Sequence, residues 1–333
     1  MSATALPAPP DVDDGSPAVV VQAALRAVRQ GQRAALAVVL ETAGSTYTRA
    51  GTLVLFTATG HVGWLSGGCL EPEIERRAME AVDHAQLAWM EIDSRDDAAL
   101  FAGNAVGCRG LQRVALLPLG ALEGIEAVLQ AWLDGISTLT LDVHADGRIR
   151  WACNGASMVH VLPCAAIDWQ APQPAWRLQW RRAPSVVLLG AGPEVAPLAP
   201  LLTGLGWRVA VHEPREAWRL RSPVQASGGP LAEVLGGRFL ADAALVMHHN
   251  FELDRDALEL LADAEIPFIG LLGPLRRRDD LFKLLAVSAR EALLPRLHAP
   301  IGLALGGRGP DAIALSIAAQ LQAWRHGVAV PLR

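Results

Sequence analysis

The stretch SVVLLGAGPEV, residues 185–195, decides the fold of the C-terminal half of the chain. An apolar, β-branched run ends in a turn that contains Gly190 and Gly192, and a helical segment follows directly. This order of strand, glycine turn and helix is typical of a Rossmann fold, where the turn brings backbone N–H groups close to a phosphate. Glu213 stands 23 positions after Gly190, at the end of the next predicted strand, where an acidic residue binds the ribose of a dinucleotide.

Two residues of the same turn argue against tight NAD binding. Val195 stands where such motifs have their third glycine, and it adds bulk where helix and strand approach closely. Pro193 has no N–H group to offer to a phosphate. The pattern therefore predicts a Rossmann fold that binds NAD weakly.

Strand and helix patterns alternate outward from this turn. Apolar β-type runs and helical patterns follow one another at residues 195–205, 207–213, 243–247, 254–264, 267–271 and 310–324. Such alternation predicts a doubly wound parallel sheet with helices on both faces.

The first half of the chain mixes helices with shorter strands. We predict a helix, a strand, a hairpin and a second helix at residues 19–28, 35–40, 52–65 and 72–82. The whole chain divides into a disordered lead (1–16), a mixed α/β domain (17–166), a linker rich in Pro, Gln and Trp (167–183) and a Rossmann-like domain (184–330).

Composition excludes several classes of protein. The 333 residues are 51% hydrophobic and 19% charged, which suits two packed cores. A net charge of −5 argues against nucleic-acid binding. Four cysteines without a C-x-x-C pair argue against a disulfide scaffold and a structural zinc site. Lys283 is the one lysine in the sequence, so arginine must carry anion recognition.

The sequence predicts neither secretion nor membrane insertion. The N-terminus lacks the basic and apolar regions of a signal peptide. Residues 183–206 are nearly uncharged, but their four glycines and four prolines indicate strand, turn and helix. We therefore expect a cytoplasmic protein that does not bind membranes.

The segment SGGCLE, residues 66–71, carries the clearest chemical signal of the first half. Gly67 and Gly68 leave backbone N–H groups and the Cys69 thiol accessible to a ligand, and the helix start beyond them favours a thiolate. A tight turn with a small buried thiol is the alternative. Cys108 lies in a second glycine-flanked loop, whose distance from Cys69 the sequence leaves open.

A second polar cluster follows a predicted strand at His248, His249 and Asn250. In open α/β sheets, ligands bind at the carboxyl edge, where these side chains lie. Neighbouring strand residues point to opposite faces, so we expect one histidine at a site and no metal held by the pair.

Three consecutive arginines begin a helix after the strand at 267–271. Arg276, Arg277 and Arg278 are placed to bind a phosphate at the helix N-terminus. The alternative is a solvated face on which they pair with Asp279 and Asp280.

Five separated segments together resemble the XdhC/CoxI family of accessory proteins for xanthine dehydrogenase and related molybdenum hydroxylases. They are GSTYTRAG (44–51), SGGCLEPEI (66–74), LLGAGPEV (188–195), FIGLLGPLRRRDDL (268–281) and RLHAPIGLALGGRGPDAIALSIAAQL (296–321). The resemblance implies a maturation factor rather than a metabolic enzyme. Such a factor binds the molybdenum cofactor (molybdopterin) transiently, assists its sulfuration with a cysteine desulfurase and inserts it into the apo-hydroxylase. Two-fold symmetry is the commonest state of soluble oligomers, so we also expect a homodimer.

The resemblance assigns cofactor binding to matching positions. These are Ser45, Thr46, Arg49, Ser66, Gly67, Gly68, Cys69, Glu71, Gly190, Gly192 and Asn250, and Gly273, His298, Pro300 and Gly302 also match the family's pattern. To the cofactor-binding set we add, from their chemistry, Cys108, Glu213, Arg276, Arg277 and Arg278. Thiolate suits a soft metal, so we expect Cys69 to contact the molybdenum.

The second half departs from the family's usual pattern, whereas both loops of the first half match it. The departures are Pro193-Glu194-Val195 for His-x-Gly, His248-His249 for Thr-His, Gly273-Pro274 for Gly-Ser, and Ala304 for an acid. They argue against a nucleotide role for the second domain of this chain.

Two other functions stay open. The Rossmann pattern is compatible with an NAD(P)-dependent oxidoreductase, although no acid–base pair is evident. Ten tryptophans are compatible with a non-catalytic protein that docks an enzyme through Trp-rich surfaces, although buried tryptophan is the ordinary explanation.

Overall fold

The computed structural model describes residues 17–66, 70–95, 110–135, 137–170, 173–236 and 240–328. The chain divides into two compact units, Met1–Arg182 and Ala183–Arg333. Among the helices of the described ranges, none combines the length and the apolar character that a membrane span requires.

The described part of the first unit contains helices and two antiparallel sheets. Its helices are α1 (Pro17–Arg29), α2 (Glu71–Asp83) and α3 (Ile125–Leu133). One sheet has the order β3-β2-β1-β5-β4, formed by β1 (Ala34–Gly44), β2 (Leu53–Thr57), β3 (Gly60–Val62), β4 (Ala88–Asp93) and β5 (Gly110–Pro118). The other has the order β8-β7-β6-β9, formed by β6 (Leu139–His144), β7 (Arg148–Cys153), β8 (Ala156–Val161) and β9 (Ala175–Trp180).

Strand β1 lies at the centre of the five-stranded sheet, and both of its faces are buried. Leu36 and Val38 join the core that includes α1 and the second sheet, whereas Ala37 and Val39 join the core under α2. Burial on both faces explains why the strand is a continuous apolar run rather than an alternating pattern.

The segment predicted to be a linker contains strand β9. β9 pairs antiparallel with β6 along its whole length, so residues up to Arg182 belong to the first unit. Trp176, Leu178 and Trp180 of β9 are buried, and the Trp180 indole stacks on Trp151 with ring centroids 5.7 Å apart. The aromatic side chains that broke the pattern are core residues of this strand.

Most of the described tryptophans are core residues. Trp132, Trp151 and Trp180 are fully buried in the first unit, and Trp207 is buried in the second. Trp64 and Trp218 are exposed at 53% and 43%, so most of the described tryptophans serve the cores, and docking through the exposed ones stays a hypothesis.

The second unit is a parallel α/β sheet with the order β12-β11-β10-β13-β14-β15. Its strands are β10 (Ser185–Leu189), β11 (Arg208–His212), β12 (Ala226–Ser227), β13 (Ala243–Val246), β14 (Phe268–Leu271) and β15 (Leu297–His298). Its helices are α4 (Val195–Gly204), α5 (Glu216–Arg219), α6 (Leu231–Gly236), α7 (Phe251–Asp263), α8 (Leu275–Phe282), α9 (Val287–Leu293) and α10 (Pro310–Arg325).

Helices cover both faces of this sheet. Helices α4 and α10 pack on one face, through residues such as Leu198 and Ile317. On the other face, Leu258, Leu281 and Leu293 bring α7, α8 and α9 against the sheet. The strand order reverses between β10 and β13, which places the crevice of a Rossmann fold beside Gly190. The predicted doubly wound parallel sheet is confirmed.

Candidate functional site

The first loop of the candidate site follows β1 and is held against the start of β5. Thr46 Oγ1 donates a hydrogen bond to the Thr48 carbonyl at 2.6 Å, which closes the loop on itself. Gly44 pairs with Gly110 at the sheet end. A Cβ on Gly110 would lie 2.5 Å from the Ser45 carbonyl oxygen, so only glycine allows this approach.

The second loop is attached to the first at Leu65. The Leu65 carbonyl accepts hydrogen bonds from Thr48 Oγ1 at 3.5 Å and from Gln112 Nε2 at 3.4 Å. The indole of Trp180 in β9 donates to the Gly51 carbonyl at 2.8 Å and fixes the far end of the first loop. The two sequence motifs of the first half therefore meet at one edge of the five-stranded sheet.

Ser66 and Glu71 clamp the two ends of the SGGCLE segment together. The Ser66 N–H donates to Glu71 Oε1 at 2.8 Å, and Ser66 Oγ donates to Oε2 at 2.5 Å. The Leu70 N–H donates to Ser66 Oγ at 3.2 Å. Burial raises the pKa of Glu71, but the hydrogen bonds from Ser66 outweigh it, so the pKa is lowered and the carboxylate stays ionised. Both carboxylate oxygens of Glu71 accept hydrogen bonds from Ser66. Glu71 therefore acts by positioning the loop.

The remaining predicted residues of this site lie at the exposed loop or outside the described ranges. Ser45 and Arg49 belong to the first loop and are exposed. The predictions for Gly67, Gly68, Cys69 and Cys108 fall outside the described residues.

The glycine turn of the second unit connects β10 to α4 and packs against the residues that follow β13. Gly190 has φ +121°, and a Cβ on it would lie 2.5 Å from the Met247 carbonyl oxygen. Its N–H donates to the His212 carbonyl at 2.8 Å. Gly190 is therefore fixed by close backbone packing at the strand reversal.

Glu213, which the sequence assigns to ribose binding, is fully buried and bonded to protein groups. It accepts from the Ala191 N–H at 2.9 Å and from the Arg215 guanidinium at 2.8 and 2.7 Å. Burial raises the pKa of Glu213, but these donors outweigh it and lower the pKa to about 2. A ribose hydroxyl would have to displace a charge-assisted, bidentate contact.

A second carboxylate lies over the phosphate-binding turn. Glu194 is buried, and its Oε2 lies 3.1 Å from His249 Nε2 and 3.0 Å from the position of a Cβ on Gly192. The His249 ring pairs with this carboxylate, and its Nε2 lies 3.4 Å from the same Cβ position, so both side chains stand where a dinucleotide phosphate approaches the turn. The nearby Pro193 removes one backbone donor as well.

His248, Asn250 and Arg277 have structural partners. The Asn250 side chain caps α7 by accepting from the Leu253 N–H at 3.0 Å. His248 Nδ1 lies 3.1 Å from Asp254 Oδ1, and Arg277 Nη2 donates to Asp254 Oδ2 at 2.6 Å. His248 and His249 contact different carboxylates, and both follow β13, which ends at Val246, so strand alternation does not decide where they point.

The three arginines at the start of α8 separate. Arg277 is committed to buried Asp254, and Arg278 donates to Asp279 at 2.6 Å. Arg276 is exposed and lies 3.8 Å from Asp280. Arg276 and Arg278 therefore match the solvated-face alternative, and Arg277 matches neither prediction, because it pairs with the buried carboxylate of Asp254.

The family positions near the end of β15 form a small network. His298 stacks on Phe268 with ring centroids 4.0 Å apart, and its Nδ1 lies 3.3 Å from Gln320 Nε2. Gln320 Oε1 accepts from the Gly302 N–H at 2.6 Å. Burial lowers the pKa of His298, so this ring is neutral at pH 7.

Metal ligands do not cluster in the described ranges, where no group of three or more His, Cys, Asp or Glu side chains converges. Cys153 is buried in β7 with its Sγ 3.2 Å from Ser137 Oγ, and burial raises the pKa of its thiol. Cys153 therefore has a structural role.

Comparison with known proteins gives matches in both units. The profile of the XdhC and CoxI family matches residues 27–92, and that of the XdhC Rossmann domain matches residues 186–321. The chain is 27% identical over 326 residues to a Bacillus subtilis protein named as a probable subunit of xanthine dehydrogenase, covering 90% of this chain and 95% of that protein. It is 32% identical over 147 residues to the uncharacterized protein YqeB of Escherichia coli, covering 41% of this chain and 27% of that protein.

A solved structure shows the same fold. A Bacillus halodurans protein described as a xanthine dehydrogenase aligns with a TM-score of 0.74 at 23% identity, covering 94% of this chain and 96% of that one. The first profile spans both loops of the candidate site, and the second spans β10 to α10. The chain belongs to the XdhC/CoxI family.

Proposed function

We propose that this chain binds the molybdenum cofactor transiently and inserts it into a molybdenum hydroxylase of the xanthine dehydrogenase type. Its family and its resemblance to a protein named as a probable subunit of xanthine dehydrogenase support this role. The observation that carries the proposal is the joining of two loops at one sheet edge, through Thr48 and Leu65, with the clamp of Ser66 and Glu71 beside them.

The side chains at this edge fit the chemistry of a pterin cofactor that carries a phosphate and a metal. Arg49 and the hydroxyl of Ser45 offer polar donors for a phosphate. The exposed rings of Tyr47 and Trp64 are suited to stacking on a pterin. Cys69 lies, by sequence, between the clamped residues and supplies the thiolate that a soft metal accepts. When bound, the cofactor supplies the molybdenum centre that the client enzyme needs.

The proposal extends to the sulfuration step. We propose that a cysteine desulfurase acts on the cofactor while it is held at this edge, and that the protein works as a cytoplasmic homodimer. The family resemblance supports the desulfurase, and the frequency of two-fold symmetry among soluble oligomers supports the homodimer.

A cysteine substitution tests the role of the first site. We expect Cys69→Ala, produced together with the molybdopterin pathway, to purify with little cofactor, measured as pterin fluorescence released on denaturation. It should also fail to activate a co-produced apo-hydroxylase. Cys153→Ala is the matched control, because its thiol is buried in β7, and it should retain both properties. A Cys69→Ala protein that loads and delivers cofactor like the parent would refute the role of this thiol.

The alternative function is an NAD(P)-dependent oxidoreductase. We propose that it is the less well supported function, because protein side chains already occupy the positions where the ribose and the phosphate of a nucleotide would bind. Glu213 is bonded to Arg215, and Glu194 lies over the turn at Gly192. We expect NAD to bind weakly in calorimetry. A dissociation constant in the low micromolar range would contradict this expectation and return the second unit to a nucleotide role.

A further inference from the structure

A cavity of about 770 Å³ lies in the second unit, on the other side of the strand reversal from the closed glycine turn. It follows the carboxyl end of β14 and is bordered by the starts of α8 and α10. Its volume is in the range of small-molecule sites, and its position is on the edge where open α/β sheets bind ligands.

The charged side chains that line this cavity are arginines. Arg276, at the start of α8, and Arg308, in the glycine-rich segment before α10, both line it, and both are exposed. The described lining includes no Asp or Glu. Two carboxylates are near without lining it: Asp280 lies 3.8 Å from Arg276, and Asp311 is in the first turn of α10.

The rest of the lining is mostly apolar. Ile301, Ile313 and Pro300 form part of the wall, as does Leu272. Such walls accept the face of a planar ring, whereas the arginines and the first-turn N–H groups of two helices favour a phosphate at the mouth. The glycine turn differs, because the Glu194 carboxylate and the His249 ring stand close to Gly192 there.

We propose that this cavity, with Arg276 and Arg308 at its mouth, binds a phosphorylated planar heterocycle. The ring lies against the apolar wall and the phosphate contacts both arginines. Two sources share this chemistry, a free nucleoside monophosphate and the phosphate-bearing pterin of a cofactor. The proposal uses only residues of the second unit, so it does not depend on the loops around Glu71.

Calorimetry on the full chain tests the proposal in two arms. One arm uses AMP and CMP, and the other uses the phosphorylated, oxidised pterin prepared from molybdopterin. We expect saturable binding in at least one arm, and the tighter of the arms that R276Q/R308Q weakens identifies the source, since the pterin source rests on the proposed function and that ligand can also bind the loops of the first unit. In the arm that binds, removing the phosphate from the probe should weaken binding at least about tenfold, because the charge-assisted contacts are lost.

Exposed arginine variants separate the site from general charge effects. The double variant R276Q/R308Q should bind the phosphorylated probe at least about tenfold more weakly than the parent protein does, and its affinity for the dephosphorylated probe should be unchanged. R278Q is the matched control, because Arg278 bonds to Asp279 and does not line the cavity. The proposal is overturned if neither arm saturates, if the double variant binds like the parent, or if R278Q weakens binding equally.

Discussion

Glu194 and His249 form an ion pair whose charge depends on pH. The hydrogen bond to Glu194 raises the pKa of His249, and burial opposes it without cancelling it. Because the folded-state pKa lies above the unfolded value of about 6.5, the pair's stabilisation is fully present below about pH 6.5. It is lost as the pH rises through the raised pKa of the folded protein.

An NMR titration of the histidine rings checks this pair. We expect His249 to titrate above the ordinary histidine value, and Glu194→Gln to bring its pKa back toward that value because the charged partner is gone. His160 is the control, because its ring bonds to the Glu123 carbonyl in the first unit and should be unaffected. A His249 pKa that is the same in both proteins would contradict the pairing.

Glu213 should make the second unit sensitive to acid. Burial raises its pKa, but Arg215 and the Ala191 N–H lower it further, from 4.5 to about 2. A depressed pKa adds stability above the unfolded value, and this contribution is lost as the pH falls toward 2.

We expect Glu213→Gln to lower the free energy of unfolding by about 3 kcal/mol at pH 7, because it leaves Arg215 without its carboxylate. Urea unfolding at pH 7 and pH 3 measures the effect, which should shrink at the lower pH. An equal difference at both pH values would show that Glu213 acts only through packing.

Some of these residue pairs are beyond the reach of local sequence patterns. Glu194 and His249 are separated by 55 positions, and their contact depends on the positive φ of His249 after β13. Glu213 was predicted at the correct strand end, but its partner Arg215 comes from the conformation of the following loop. The position of each carboxylate at the sheet edge can therefore be predicted from the sequence, whereas the group to which the carboxylate is bonded cannot.

At the scale of elements, a strand or helix can be predicted from the sequence where its apolar residues follow a regular period. Strand β10 and helix α4 were predicted because a β-branched run changes to a helical pattern at one glycine turn. Strand β9 was missed because Pro and Gln surround it. Its alternation of Trp176, Leu178 and Trp180 is the signal that would have found it.

Replacing Gly190 and Gly204 by alanine should change the free energy of unfolding in opposite directions. Gly190→Ala places a Cβ 2.5 Å from the Met247 carbonyl at φ +121°, so we expect a loss of roughly 1–3 kcal/mol or more in the free energy of unfolding. Gly204→Ala, at the end of α4, has open space around its Cβ and should raise the free energy of unfolding by up to about 1 kcal/mol. Chemical denaturation of the two variants measures both, and equal changes would contradict the role of the turn.

At the scale of the whole molecule, the described strands of each sheet all belong to the same unit. Every strand that pairs with β6 or β1 belongs to the first unit, and every strand of the parallel sheet belongs to the second. We therefore expect separately produced fragments 17–182 and 183–328 to fold cooperatively, measured by circular dichroism during thermal unfolding. A fragment that stays unfolded alone would show that its core depends on the other unit.

The parallel sheet tapers toward its borders. Its central strands have four or five residues, but β12 and β15 at the two borders have two residues each. A border strand this short offers few unpaired backbone groups as a template for strands from another chain. We expect the second unit to resist edge-to-edge aggregation at high protein concentration, because neither border of its sheet offers a long template for another chain.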